Sequence, residues 1–197
     1  GGAGIRGGIT STCTSGMVGT YTRAASPTTW RDACAAPGRQ NLLLNSDDGI
    51  SLVTLPFQFQ FYGTPFLTAG IATNGMISFD TPTPSGANGT LPTGDVANTI
   101  FAFWDDVANR TNGVCVAVYG TAPNREYVVQ WNDQFFAGSA TPSTEHLTYQ
   151  VVLTETSNTI DVIYNQMMGQ STRADGSSAT VGLQQGTGAS TDLVGFN

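Results

Sequence analysis

The chain has 197 residues and a formal net charge of -7, and only 11% of its residues are charged. All seven basic residues are arginines, so the chain cannot neutralise many phosphates or hold anionic lipid, and nucleic-acid binding is excluded as a main role. No apolar run approaches the length of a membrane span. Abundant Gly, Ser and Thr and the absence of an initial Met are typical of a processed secreted protein or a fragment of one, so we expect an extracellular or cell-surface location.

Residues 1–45 show no strong periodicity and are predicted to form an irregular N-terminal extension, with a short helix near residues 30–36. The extension contains Cys13 and Cys34. We expect these two to form a disulfide, which would close a loop and stabilise the fold by ~3 kcal/mol. Cys115 lies inside an apolar strand and is expected to be a buried thiol. A bridge from Cys115 to another cysteine is the alternative, because connectivity cannot be read from spacing.

Residues 46–197 are predicted to form one β-sandwich domain. Val53 to Phe61 alternate between apolar and polar side chains, which indicates a half-buried strand. Asn74-Gly75 between two apolar runs predicts a hairpin turn. Residues 80–98 are polar and rich in Pro and Gly, as in an exposed loop. The apolar run of residues 99–105 predicts a central strand covered on both faces.

Further strands are predicted over residues 67–73, 76–79, 114–119, 126–136, 147–154, 160–164 and 179–183. Many short strands with little helix indicate an all-β fold, and we predict an antiparallel β-sandwich of jelly-roll-like type. The packing between its sheets is expected to include Phe57, Phe59, Phe61, Phe101, Phe103, Trp104, Trp131, Tyr149, Val151 and Leu153.

Six segments occur in the order found in a known module. They are Leu55–Gly63 (similar to LPFxFxFYG), Thr73–Phe79 (SNGxxSF), Phe101–Asp106 (xxFWDDL), Gly120–Trp131 (GTAPNRxFVVxW), Thr148–Tyr164 (TFQVVLxExxNxIxxxY) and Ala179–Leu183 (ATVGIQ).

In this order the segments resemble a β-sandwich module of large secreted bacterial proteins of myxobacterial type, and the chain is distantly similar to the nidogen extracellular module. The resemblance covers residues 50–197. It implies a fold and an extracellular location, and it implies no chemistry. Similar modules continue past the position of Phe196-Asn197 into a final apolar strand, so we expect this sandwich to have an open sheet edge.

Catalytic patterns are weak. His146 is the only histidine, and a triad would need a serine such as Ser143 and an Asp, but no G-x-S-x-G elbow is present. Glu145 and Glu155 lie ten strand residues apart, or ~33 Å, which is too far for a glycosidase pair. We therefore predict that the protein is not an enzyme.

Two acidic doublets, Asp47-Asp48 and Asp105-Asp106, lie at strand ends. Calcium binds several loop oxygens, so these four residues are the candidate Ca²⁺ ligands, and no other cofactor is expected. Turn formation by Asp side chains is the alternative explanation. Adjacent residues of an extended chain point to opposite faces, so Asp105 and Asp106 are expected to diverge.

The first functional hypothesis is a non-catalytic structural or adhesive module, and specifically a subunit of a self-assembling surface filament. Residues 1–12, with Ile5 and Ile9 as apolar anchors, would add as a strand to an open sheet edge. Addition to a neighbouring copy would build an open polymer, whereas addition within the chain would complete its own sandwich.

The alternative hypothesis is a carbohydrate-binding module of a secreted hydrolase, with a polysaccharide as partner. Trp104 and Trp131 would then form a stacking platform for sugar rings, although tryptophans in apolar strands are more often core residues. A hydrolase in its own right is the third hypothesis.

Overall fold

The computed structural model describes residues 9–11, 21–23, 29–80, 85–94, 96–169, 172–187 and 191–195. These residues form two antiparallel sheets that pack against each other, which confirms the predicted β-sandwich. The strands in chain order are β1 (Ile9–Ser11), β2 (Tyr21–Arg23), β3 (Gln40–Leu42), β4 (Ile50–Phe61), β5 (Thr64–Ala72), β6 (Met76–Ser78), β7 (Thr99–Trp104), β8 (Val107–Ala108), β9 (Val114–Tyr119), β10 (Glu126–Phe136), β11 (His146–Thr154), β12 (Ile160–Met168), β13 (Thr180–Gln184) and β14 (Thr191–Gly195).

The large sheet has eight strands in the order β2-β1-β12-β11-β10-β9-β3, with β8 paired to β10. The small sheet has six strands in the order β14-β13-β7-β6-β5-β4. Two short 3₁₀ turns, Pro142–Thr144 and Thr172–Asp175, are the helical elements of the described ranges. Neither approaches the length and apolar character that a membrane-crossing helix needs.

The main core lies between the sheets and is rich in aromatic rings. Alternation along β4 places Phe57, Phe59 and Phe61 inward, as predicted, while Gln58 and Gln60 are exposed. Strands β10 and β11 supply the opposing face of this core, whose aromatic members include Trp131 and Tyr149 with stacked rings 5.1 Å apart. The inter-sheet prediction is thus confirmed for these positions and also for Phe103, Val151 and Leu153.

Phe101 and Trp104 are buried, but the prediction that they pack between the sheets is wrong. Both belong to a separate cluster that includes Leu91 and Val96. These two residues come from the loop over 80–98, whose described part therefore covers a patch of the small sheet instead of being wholly exposed. Strand β7 is consequently a central strand covered on both sides, as its continuous apolar run predicts.

A second small cluster contains the disulfide. Cys34 is bonded to Cys115 on β9, so the predicted pairing of Cys34 with Cys13 is wrong, and so is the prediction of a free thiol at Cys115. Cys13 itself lies outside the described residues. Spacing favoured the two cysteines that are closer in sequence, but the fold lays the segment of residues 29–36 across the large sheet and brings Cys34 to Cys115.

Polar contacts hold the same segment on the sheet. The buried Gln130 side chain accepts a hydrogen bond from the Ala33 N–H at 2.7 Å and donates one to Asp32. Residues 33–38 form turns in place of the predicted helix, because the segment follows the surface of the sheet and its backbone bonds to side chains there.

The described strands of the N-terminal extension, β1, β2 and β3, belong to the large sheet. Strand β3 pairs with β9, and Ile9 of β1 pairs with Ile160 of β12. The domain division at residue 45 stays a prediction, although sheet pairing crosses it. Strand β14, which pairs with β13, was not predicted and forms one edge of the small sheet.

Candidate functional site

Three acidic side chains meet at one end of the small sheet. Asp47 and Asp48 precede β4, and Asp106 follows β7, so antiparallel pairing brings their loops to the same end. One carboxylate oxygen from each lies within 4.8 Å of the others. We refer to Asp47, Asp48 and Asp106 as the acidic cluster. The structure therefore brings together three of the four residues that the sequence suggested as Ca²⁺ ligands.

The turn between β5 and β6 supports this cluster. The Asn74 side chain donates a hydrogen bond to Asp48 at 2.8 Å and accepts one from the Val107 backbone at 3.0 Å. Gly75, with a φ of +75°, lies so close to Phe103 that a Cβ atom would be 2.2 Å from its carbonyl oxygen. The Asn-Gly pair thus forms the predicted turn and also connects β4 to β8. This second role of Asn74 was not predicted, since a turn motif says nothing about distant partners.

Charge repulsion is visible in the cluster. Partial burial raises the pKa of the Asp47 carboxyl above its ordinary value, and the negative charges of Asp48 and Asp106 raise it further. Calcium takes oxygen ligands at ~2.3–2.6 Å, so oxygens within 4.8 Å of one another fit around a single ion. Calcium binding at this cluster stays a prediction.

Asp105 is separate from the acidic cluster. Its buried carboxylate accepts hydrogen bonds from Arg173 at 2.6 Å, from the Ser178 hydroxyl and from the Asp106 backbone N–H. The two neighbouring carboxylates therefore diverge, as the alternation of an extended chain predicts. Asp105 serves as the anchor of the 3₁₀ turn that carries Arg173, and it does not join the candidate Ca²⁺ ligands.

If the acidic cluster binds calcium, 5 mM Ca²⁺ is expected to raise the melting temperature by a few degrees. A dissociation constant of ~0.1–1 mM, as in extracellular modules, corresponds to about 1–2 kcal/mol at this concentration. Asp47→Asn should abolish the response and raise the melting temperature without calcium, because it removes repulsion. Asp175→Asn is a control outside the cluster. Differential scanning fluorimetry with Mg²⁺ as the competing ion checks this, and an unchanged melting temperature in Ca²⁺ would contradict it.

His146 forms a polar cluster without a nucleophile. Its Nδ1 lies 2.5 Å from the Asp133 carboxylate, which also pairs with Arg110 at 3.1 Å. Arg110 in turn donates to the Glu145 carbonyl oxygen at 2.7 Å. Within the described part of the chain no serine hydroxyl is hydrogen-bonded to His146, Ser143 included. The arrangement joins β10, β11 and the loop between them to the segment between β8 and β9, which carries Arg110.

A surface cavity of about 300 Å³ lies beside this loop. Its lining includes Phe136, Glu145 and Arg173. The Arg173 guanidinium covers the Phe136 ring at 4.2 Å, and both Glu145 carboxylate oxygens accept hydrogen bonds, from Phe136 N–H and from Ser139. The cavity therefore has no exposed ring on which a sugar could stack.

The two candidate sugar-binding tryptophans are core residues. Trp131 is fully buried and donates its indole N–H to the Ala72 carbonyl at 2.9 Å, and Trp104 is buried and donates to Ser85 at 2.8 Å. Neither ring face is available to a polysaccharide. The carbohydrate-binding alternative therefore loses the feature that suggested it.

Of the two assembly residues predicted from the sequence, the structure describes Ile9, which lies in the large sheet between β2 and β12. Ile9 is in β1, whose described pairing is with β12 and β2 of the same chain, and Ile5 lies outside the described residues. For β1 the structure thus shows the pairing within one chain. Exchange of this segment between chains stays a prediction.

Comparison with known proteins gives one informative result. No curated protein and no solved structure matches this chain. The family model described as NIDO related matches residues 20–195, which is most of the chain and includes all six segments that resemble the secreted module. On this match the chain belongs to the nidogen-related family.

Proposed function

We propose that the chain is a non-catalytic structural module of extracellular, cell-surface assemblies, and that its copies associate through their N-terminal segments. The family to which it belongs is related to an extracellular module and fits this location. The Cys34–Cys115 disulfide fits an oxidising compartment. In the described residues, the ionisable groups that could support catalysis, Asp105, Glu145 and His146, are each engaged in contacts that hold loops in place.

The outer edge of β12 carries the assembly proposal. Strand β12 runs from Ile160 to Met168, and its register with β1 consists of the single pair Ile9 and Ile160. Among the residues that the structure describes, no strand pairs with this edge from 162 to 168. An open edge of this length is an acceptor for an extended segment. Antiparallel continuation of the same register would place Ile5 opposite Tyr164.

Whether the added strand comes from the same chain or from a neighbouring copy decides whether the protein is a monomer or a filament. If each chain donates the segment to the next, the contact is heterologous and does not close, so it propagates as a filament. If each chain keeps its own segment, the edge is filled and the protein stays a monomer. We propose the exchanged form, in which β1 leaves its own β12 and binds that of a neighbour, because within the described residues β1 meets β12 at the pair Ile9 and Ile160.

Electron microscopy and sedimentation of three forms of the protein test this proposal. The full chain is expected to form filaments, and a chain without residues 1–12 is expected to stay folded and to form no filaments. A chain without residues 1–4 keeps Ile5 and Ile9 and is the matched control, which should assemble. Filaments of the shorter chain would exclude the N-terminal segment as the link, and a wild-type monomer at all concentrations would contradict the assembly.

A further inference from the structure

Strand β4 forms an edge of the small sheet, opposite to the β14 edge. In the described structure β5 is its one sheet neighbour. The second half of β4 is nevertheless covered, because Gln60 N–H donates to the Asn158 side chain at 2.8 Å and Gln60 C=O accepts from the Tyr21 hydroxyl at 3.4 Å. For the first half, Ile50 to Thr54, the described residues provide no such partner.

The hydrogen-bonding pattern between β4 and β5 determines which way the backbone N–H and C=O groups of β4 point. Thr73 N–H donates to Gly49 C=O at 2.9 Å, so Gly49 and Thr73 are a hydrogen-bonded pair. Antiparallel pairs alternate between hydrogen-bonded and non-hydrogen-bonded types. Ile50, Leu52 and Thr54 pair with Ala72, Gly70 and Thr68 and are therefore of the second type. Their N–H and C=O groups point away from β5, toward the open edge.

The side chain of Leu52 is unusually exposed for a strand residue, at 77%. It lies opposite Gly70, which offers no side chain to cover it. Natural edge strands are commonly protected by charged residues, especially lysine. Residues 49–79 contain no charged side chain at all, so this edge lacks that protection.

We propose that the first half of β4 is an interface between two copies of this chain, in which the strands pair antiparallel about a two-fold axis at Leu52. In this arrangement Leu52 lies opposite its own copy, and Ile50 lies opposite Thr54 of the second copy. Every outward N–H then meets an outward C=O, which makes the edge self-complementary. Pro56 lacks an N–H and ends the new ladder on each side.

The absence of charge along this edge allows a second copy to approach it. With a net charge of -7, two copies repel each other over most of their surfaces, and the uncharged edge of β4 is a surface on which they can approach. The axis at Leu52 places Asp48 opposite Pro56 of the second copy and keeps the two Asp48 residues ~27 Å apart, well beyond the screening length. The N-terminal strand β1 does not compete, because it pairs on the large sheet.

This interface rests on the proposed structural function, since it supplies a second contact between copies besides the N-terminal segment. A heterologous link and a two-fold contact on the same chain would join filaments side by side. The two contacts use different sheets, so they can be removed separately.

Sedimentation equilibrium of the chain without residues 1–12 isolates the β4 contact. We expect concentration-dependent dimers for this form, and at least a tenfold larger dissociation constant after Leu52→Lys, which places two positive charges opposite each other. Val118→Lys is the matched control, because Val118 is an exposed apolar strand residue of the large sheet (47% exposed). Its dissociation constant should stay unchanged. Circular dichroism and melting curves confirm that both variants are folded.

Disulfide trapping tests the register independently of affinity. In a Cys13→Ser background, Leu52→Cys chains are expected to cross-link with themselves, because opposite residues lie within disulfide range. Thr54→Cys chains should cross-link little alone and efficiently when mixed with Ile50→Cys chains. Dimers that persist in Leu52→Lys, together with no Leu52→Cys cross-link, would overturn the β4 interface and leave the N-terminal assembly untouched. A second result would also overturn it: the full chain forms filaments, while the chain without residues 1–12 is monomeric and its Leu52→Cys variant does not cross-link.

Discussion

Loss of the Cys34–Cys115 disulfide is expected to lower the free energy of unfolding by roughly 4.5 kcal/mol. The bond joins residues 81 positions apart, and cross-linking a loop of this length removes about that much chain entropy from the unfolded state. It also holds residues 29–36 on the large sheet, where Ala33 and Ala36 pack against Val128 and Val152. A protein without this disulfide should therefore lose the order of residues 29–36 as well as stability.

Denaturant unfolding of the Cys34→Ala/Cys115→Ala double variant measures the loss of unfolding free energy. The wild-type protein under reducing conditions should show a similar loss. Cys13→Ser is the matched control, and it should leave the midpoint nearly unchanged because Cys34 has a different partner. Thiol labelling of the native, oxidised protein should find neither Cys34 nor Cys115. An effect of Cys13→Ser as large as that of the double variant would contradict the pairing.

Phe59→Ala is expected to destabilise the fold by about 3–5 kcal/mol, the usual cost of removing a buried phenylalanine. Phe59 is fully buried and stacks on Phe79 with ring centroids 5.6 Å apart. Its side chain lies in the middle of the inter-sheet core, where the long strands β4 and β10 limit how far the cavity can collapse.

Gln58→Ala is the control for this substitution, since Gln58 is the adjacent residue on the exposed face of the same strand. It should change the free energy of unfolding by less than about 0.5 kcal/mol. Thermal and urea unfolding of both variants give the comparison. Equal effects would mean that the inward and outward faces of β4 are assigned the wrong way round.

The local sequence pattern was sufficient to predict the structure wherever a residue and its neighbours along the chain determine it. Alternation along β4 identified Phe57, Phe59 and Phe61 as inward-facing, because a half-buried strand repeats every two residues. The Asn74-Gly75 turn followed from the tolerance of both residues for positive φ, and Gly75 has it. The divergence of Asp105 from Asp106 followed from the same alternation.

The local sequence pattern could not predict which distant segments pair with each other. The sequence placed Asp47, Asp48 and Asp106 at strand ends, but only the order of β4, β5, β6 and β7 in the small sheet brings those ends together. The sequence favoured core positions for Trp104 and Trp131 but left a surface platform open, and their burial depends on the loop and the sheet that cover them.

By itself the sequence determined the all-β class, most strand positions, the inner face of β4 and the similarity to a nidogen-related module, since each depends on local periodicity or on a linear series of motifs. The tertiary structure alone decided the partner of Cys34, the outward burial of Phe101 and Trp104, the assembly of the acidic cluster and the position of β4 at the end of the small sheet. These features depend on which strands become neighbours and on which loops cover the sheets, and both result from packing over the whole domain.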